Sequence, residues 1–194
     1  MNIMKINVIL ATTRQGGIGF KNKLPWFIKD DLKHFREITK QSGYINIIIM
    51  GRNTWESLPK KPLPGRTNII LTQKGIDIEA YENTMTKSSL IDALNTSTSL
   101  SNTHNINVSI IGGESVYKEF NNLCNKINVG DNISFRKMYN HSLYHTMIEE
   151  EYECDRFFKP NIEDYILVSK ERKIVVDELT KNNIKVCYMH YRSK

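Results

Sequence analysis

A chain of 194 residues with 40% hydrophobic and 25% charged side chains has enough apolar material for one core of ordinary domain size, and no internal domain boundary is expected over 1–194. Apolar runs such as Ile47-Ile48-Ile49-Met50 are too short to cross a bilayer, and no signal-peptide pattern opens the chain, so no membrane partner and a cytoplasmic setting are expected. The net charge of +6 is scattered, with no run of four Lys or Arg; no nucleic-acid partner is expected, and anionic small molecules account for the excess. Cys124, Cys154 and Cys187 are odd in number and far apart, and His141 and His145 have no further ligands nearby, so neither disulfides nor a metal site are expected.

In chain order, Lys5 to Thr13 is β-branched and reads as a buried strand. Gly16-Gly17-Ile18-Gly19 breaks it and begins a flexible loop suited to a lid. Pro25 keeps Leu24 extended and delays the next helix to about Ile28. From there Ile28, Asp31, Leu32, Phe35 and Ile38 share one helical face, while Lys29, Lys33, Arg36, Glu37 and Lys40 take the other. Asp31 thus sits inside an apolar stripe, where a carboxylate needs a polar partner or a ligand. Helix capping by Asp31 is the alternative, although Asp30 suits that role equally.

Tyr44 to Met50 is a second buried strand, and it runs into Gly51-Arg52-Asn53-Thr54-Trp55, a glycine step into a short helix that suits phosphate. A proline-stiffened turn from Leu58 to Arg66 leads to a strand over Thr67 to Thr72. Residues 73 to 87 read as a loop with a short strand, and Ser88 or Ser89 caps a helix start. Ser97 to Asn107 reads as polar and exposed. Val108 to Ile111 is the next buried strand, and Gly112-Gly113-Glu114 repeats the step from glycine into helix. Two such junctions imply an α/β sheet that binds a ligand beyond the carboxyl ends of its strands. Asn121 to Ser142 reads as a surface insertion. Leu143 to Ile148, Tyr165 to Val176 and Ile184 to Tyr191 read as strands, the last two antiparallel.

Taken together, several motifs resemble the dihydrofolate reductase family over nearly the whole chain. They are Gly17-Ile18-Gly19 with Leu24-Pro25-Trp26, Asp31-Leu32-x-x-Phe35, Ile49 to Ser57, Pro62 to Asn68, Ile111 to Tyr117, and Thr146 before Tyr152 to Phe158. The resemblance implies a single-domain, mostly parallel eight-stranded sheet with an antiparallel C-terminal strand and flanking helices. It implies hydride transfer from NADPH to dihydrofolate, feeding one-carbon metabolism, and an antifolate target.

It also implies roles. Asp31 would accept hydrogen bonds from the amino-pyrimidine edge and promote ring protonation through water, with Thr146 and Trp26 beside it. Ile9 and Ile111 would present backbone carbonyls to the pteridine amino group or the nicotinamide, and Ala11 and Ile18 would border the nicotinamide. Leu32, Phe35, Leu58 and Leu63 would wall the pteridine and benzoyl groups, and Arg66 would take the glutamate carboxylate. Gly51, Arg52, Asn53 and Thr54 would receive cofactor phosphates, with Arg52 on the 2′-phosphate. Gly112, Gly113, Glu114, Ser115, Val116 and Tyr117 would cradle the pyrophosphate, across a cis Gly112–Gly113 bond. A monomer is expected, with fusion or association with thymidylate synthase left open although no synthase-like sequence follows Lys194. Two other classes compete. A riboflavin-pathway reductase would not need Leu24-Pro25-Trp26 with Asp31, nor Arg66. A non-catalytic nucleotide-binding module would lack a pocket residue, and none is missing.

Overall fold

The computed structural model describes residues 3–125 and 140–194. In chain order its elements are β1 (Met4–Thr13), β2 (Gly17–Gly19), α1 (Lys29–Thr39), β3 (Ile45–Gly51), α2 (Arg52–Ser57), β4 (Thr67–Leu71) and β5 (Thr84–Lys87). They continue with α3 (Leu90–Ser101), β6 (Ile106–Ile110), α4 (Glu114–Asn125), β7 (His141–Ile148), β8 (Arg156–Phe157), β9 (Tyr165–Val176) and β10 (Asn183–Ser193). Eight strands form one sheet in the order β5-β4-β3-β6-β1-β7-β10-β9, and β2 pairs separately with β8. Only β10 runs against its neighbours β7 and β9. The sheet therefore matches the mostly parallel form with an antiparallel C-terminal strand.

Strands covered on both faces need apolar side chains on both. Ile47, Ile48, Ile49 and Met50 of β3 are all fully buried, with Ile47 and Ile49 facing the larger core and Ile48 and Met50 a smaller one with Trp55 and Ile70. The larger core is completed by Leu90 and Leu94 of α3 and Phe120 of α4. A third cluster gathers Trp26, Ile28, Val186 and Tyr188 where the chain enters α1. β1 lies between β6 and β7, so the connections leave it in opposite directions and open a crevice beyond the carboxyl ends.

Two sequence expectations are corrected. Ser97 to Asn107 is not an exposed linker: α3 extends to Ser101, Ser97 is buried with its hydroxyl on Ala93 O at 2.9 Å, and Asn107 is buried with its amide on Ile38 O at 3.0 Å. The bounds expected for an insertion, 121–142, overlap regular structure at both ends, because α4 runs to Asn125 and β7 begins at His141. The remainder of that expectation, 126–139, lies outside the described residues.

Candidate active site

A cleft of about 860 Å³ opens at the carboxyl ends of β1, β3, β4 and β6. α1 supplies one wall. Its N-cap, Ile28, is extended and offers no side-chain hydrogen bond, so neither Asp30 nor Asp31 caps the helix. Asp31 instead faces the cleft with Leu32 and Phe35, and Leu32 is 45% exposed because its stripe lines an open site. Burial pushes the Asp31 carboxyl group up to about 6, and the Thr146 hydroxyl bonded to it acts in the opposite direction. A carboxyl group tuned to that range can exchange a proton near neutral pH.

Of the other residues expected at the site, Ile9, Ala11, Ile18, Leu58, Ile111 and Thr146 also line this cleft. So do Gly51, Arg52, Asn53, Thr54, Gly113, Glu114, Ser115, Val116 and Tyr117. Trp26, Leu63, Arg66 and Gly112 do not form its walls. Trp26 is buried behind the start of α1, edge-on to Tyr152 at 5.4 Å, and its indole N–H has no partner among the described residues. Arg66 is buried too; it donates to Thr39 Oγ1 at 2.8 Å and leaves Nε unpartnered. Ile9 presents its carbonyl to the Tyr117 hydroxyl, which donates at 2.7 Å.

The two glycine steps meet. The Gly51 N–H donates to Gly112 O at 2.7 Å, and the Gly112–Gly113 bond is cis. A Cβ on Gly51 would stand 3.2 Å from Val116, and one on Gly113 would stand 3.2 Å from Thr54 Oγ1. Gly112 has φ +96°, a conformation that side chains resist. Bare backbone at this junction, the first turn of α4 and the Arg52 guanidinium together fit a dinucleotide phosphate. Arg52 is already bonded through Nε to Glu56 at 2.6 Å.

The glycine loop is tied over the cleft by β8. Phe158 N–H donates to Gly16 O at 2.7 Å, and Lys21 N–H to Asp155 Oδ2 at 3.0 Å. Lining residues that the sequence reading did not place include His34, Asn22, Gln73, Ser88 and Arg156. Only His34 carried a signal, standing three residues after Asp31 on the same helix. Asn22, Gln73 and Ser88 come from loops, and Arg156 from the two-residue strand β8.

A family model described as dihydrofolate reductase matches residues 5–193. The chain belongs to the dihydrofolate reductase family. It is 35% identical over 193 residues to a dihydrofolate reductase of Aedes albopictus, covering 96% of each chain. It is 33% identical over 193 residues to the bifunctional dihydrofolate reductase-thymidylate synthase of Daucus carota, but spans only 33% of that protein. A solved dihydrofolate reductase from Enterococcus faecalis, complexed with NADP(H) and RAB-propyl, superposes with a TM-score of 0.73 at 30% identity, covering 98% of this chain and 96% of that one. As a member of this family the chain is an NADPH-dependent oxidoreductase that reduces 7,8-dihydrofolate to 5,6,7,8-tetrahydrofolate. Among the described residues no helix is long and apolar enough to cross a membrane.

Proposed function

We propose that Asp31 carries the chemistry, by binding the amino-pyrimidine edge of dihydrofolate and promoting protonation of the pteridine ring. The carrying observation is its placement in the cleft, with its pKa raised by burial and the Thr146 hydroxyl bonded to it. When bound, NADPH supplies the hydride. Gly51, Arg52, Asn53 and Thr54 hold its phosphates on one side, and Gly112 to Tyr117 on the other. Ala11 and Ile18 border the nicotinamide, and the carbonyls of Ile9 and Ile111 orient the rings. Leu32, Phe35 and Leu58 exclude water from the pteridine, which strengthens every charge interaction there. Trp26 backs the start of the helix that carries Asp31, with its indole N–H unpartnered among the described residues. Leu63 backs the benzoyl wall, and Arg66, with an unpartnered Nε, takes the glutamate carboxylate bidentately.

In this reading the chain folds as one domain, works as a monomer in the cytoplasm and supplies one-carbon metabolism. The test is absorbance-monitored NADPH oxidation with and without dihydrofolate, comparing the parent with Asp31→Asn. Removal of the charge lowers hydride transfer at pH 7 by about 10²–10⁴-fold, with partial recovery at lower pH. Normal turnover of the variant at pH 7 would refute the assignment of Asp31.

A further inference from the structure

The cations that line the cleft are unevenly committed. Arg52 is paired with Glu56 at 2.6 Å and Lys118 with Glu114 at 2.5 Å, and both stand at the junction that fits a dinucleotide phosphate. Glu119, another wall residue, accepts the Leu90 N–H at 3.0 Å and adds a further carboxylate. The side chains there nearly cancel in charge, although the group to be bound is an anion. Among the described residues, Lys23, Lys74 and Arg156 line the cleft with no carboxylate within ion-pair distance.

Arg156 reaches the cleft on the strand that ties down the glycine loop. In the β2–β8 pair it stands opposite Gly19, whose carbonyl accepts from the Asp155 N–H at 3.0 Å, and a Cβ on Gly19 would lie 3.9 Å from that of Arg156. The loop ends in a closed turn. Phe20 and Lys23 exchange both backbone hydrogen bonds, at 2.9 and 3.0 Å, with Lys21 and Asn22 at positive φ between them. Asp155, the acid next to Arg156 in the chain, is turned onto that hairpin, where its Oδ2 accepts the Lys21 N–H at 3.0 Å. Side chains alternate along an extended strand, so Arg156 shares a face with Phe158 and not with the exposed Phe157. Phe158 is buried against Tyr117, with ring centres 5.1 Å apart. Arg156 therefore rises from a segment packed on the first turn of α4, the same turn that offers its backbone to the cofactor.

We propose that the Arg156 guanidinium is a further anion-binding group for the cofactor, taking the pyrophosphate at its nicotinamide-side phosphate and so joining the phosphate cradle to the glycine loop. The proposal rests on the reading of Gly112 to Tyr117 as that cradle, and on Ile18, next to Gly19 in the loop, as the border of the nicotinamide. The planar fork suits a pair of phosphate oxygens, and it brings the charge that the paired Arg52 and Lys118 no longer offer in full. Because Gly19 and Arg156 belong to one strand pair, an ion pair made by Arg156 also holds the loop over the cleft, and its loss shows as faster cofactor release. Lys23 lies beyond the turn on the segment leading to α1, and Lys74 follows β4, so neither stands on the segment that packs against Tyr117.

The test measures NADPH affinity by fluorescence titration and NADPH release by stopped flow, with adenosine 2′,5′-bisphosphate as a second probe that lacks the nicotinamide-side phosphate. Arg156→Gln weakens NADPH about fivefold to tenfold at low salt, mainly through faster release, and leaves the adenosine probe unchanged. The loss shrinks as ionic strength rises, because the side chain is exposed. Arg156→Lys recovers part of it, since the charge is kept and the fork is not. The melting temperature of the ligand-free protein and the affinity for dihydrofolate stay near those of the parent. Unchanged NADPH affinity in Arg156→Gln overturns the proposal, as does an equal loss for the adenosine probe, which marks a diffuse field in place of a contact. Failure of the cradle reading looks different: Gly113→Ala then binds NADPH as the parent does, and the shared site falls with it.

Discussion

Tyr152 donates its hydroxyl to Asp177 Oδ2 at 2.8 Å, and this bond ties the support of Trp26 to the turn between β9 and β10. The other carboxylate oxygen, Oδ1, accepts from the Phe27 and Leu179 N–H groups at 3.0 Å each, and Thr180 donates to Oδ2 at 3.2 Å. Although burial raises the carboxyl pKa, these four donors hold it below its ordinary value. Tyr152 packs edge-on against Trp26, so one buried anion fixes the residue next to Trp26 in the chain and the ring beside it. Asp177→Ala orphans several donors at once and should cost about 3 kcal/mol or more. Denaturant midpoints measure the loss. A loss under 1 kcal/mol would mean that water replaces the carboxylate.

The glycine junction makes a sharper prediction about the cofactor. A methyl group at Gly113 would press on Thr54 Oγ1 from 3.2 Å, where the two phosphate-binding segments meet. Gly113→Ala should weaken NADPH about tenfold or more, equivalent to about 1.4 kcal/mol, while changing dihydrofolate affinity little. Fluorescence titration of each ligand separates the effects. Equal weakening of both would point to a collapse of the cleft.

How much of this was legible in sequence varies with the range of the interactions. The buried strands and the Asp31 stripe depend on local periodicity, and both β3 and α1 lie where that periodicity places them. The second half of α3 was missed because its Ser and Thr residues read as a linker. In the fold Thr96, Ser97, Thr98 and Ser99 each return their hydroxyl to the carbonyl four residues earlier, which lets a polar run stay helical. β2 and β8 are three and two residues long and pair across more than 130 residues, so no period announces them. The site was legible where a motif carried it. Arg156 was not, since its place in the cleft depends on the pairing of β8 with the glycine loop.

Two buried titrating groups give the stability opposite slopes over the same pH range. His145 Nε2 lies 2.9 Å from Thr12 Oγ1, and burial pulls its pKa from 6.5 down to about 4. Between those values the unfolded chain binds more protons at this residue, so its contribution to stability is lost as pH falls through that window. Asp31 is raised from 3.8 to about 6, so there the folded state binds more protons, and stability is lost as pH rises through that window. Relative to the parent, Asp31→Asn should gain about 1–3 kcal/mol at pH 7 and almost nothing below pH 4. His145→Gln should help at pH 4.5 more than at pH 7. Denaturation midpoints at these pH values check both, and a gain in Asp31→Asn that grows on acidification would contradict the sign.

The last prediction concerns the choice between NADPH and NADH. Arg52 stands at the start of α2, on the cleft wall, with its Nε bonded to Glu56 one turn later. The pair is 44% exposed at each side chain, so it contributes little to stability. Its effect is on the guanidinium: Glu56 orients the fork but also neutralises part of the charge offered to a 2′-phosphate. A charge-assisted bond of this kind is worth about 1.5–3 kcal/mol, so Arg52→Ala should lower the preference for NADPH over NADH by about 10–100-fold. Glu56→Gln keeps the side-chain length and leaves Arg52 its full charge, and should therefore sharpen the preference at low salt, where exposed charges are least screened. The ratio of kcat/KM for the two cofactors at two ionic strengths decides the matter. A ratio unchanged in Arg52→Ala would assign the 2′-phosphate to another cation of the cleft, with Lys74 the next candidate.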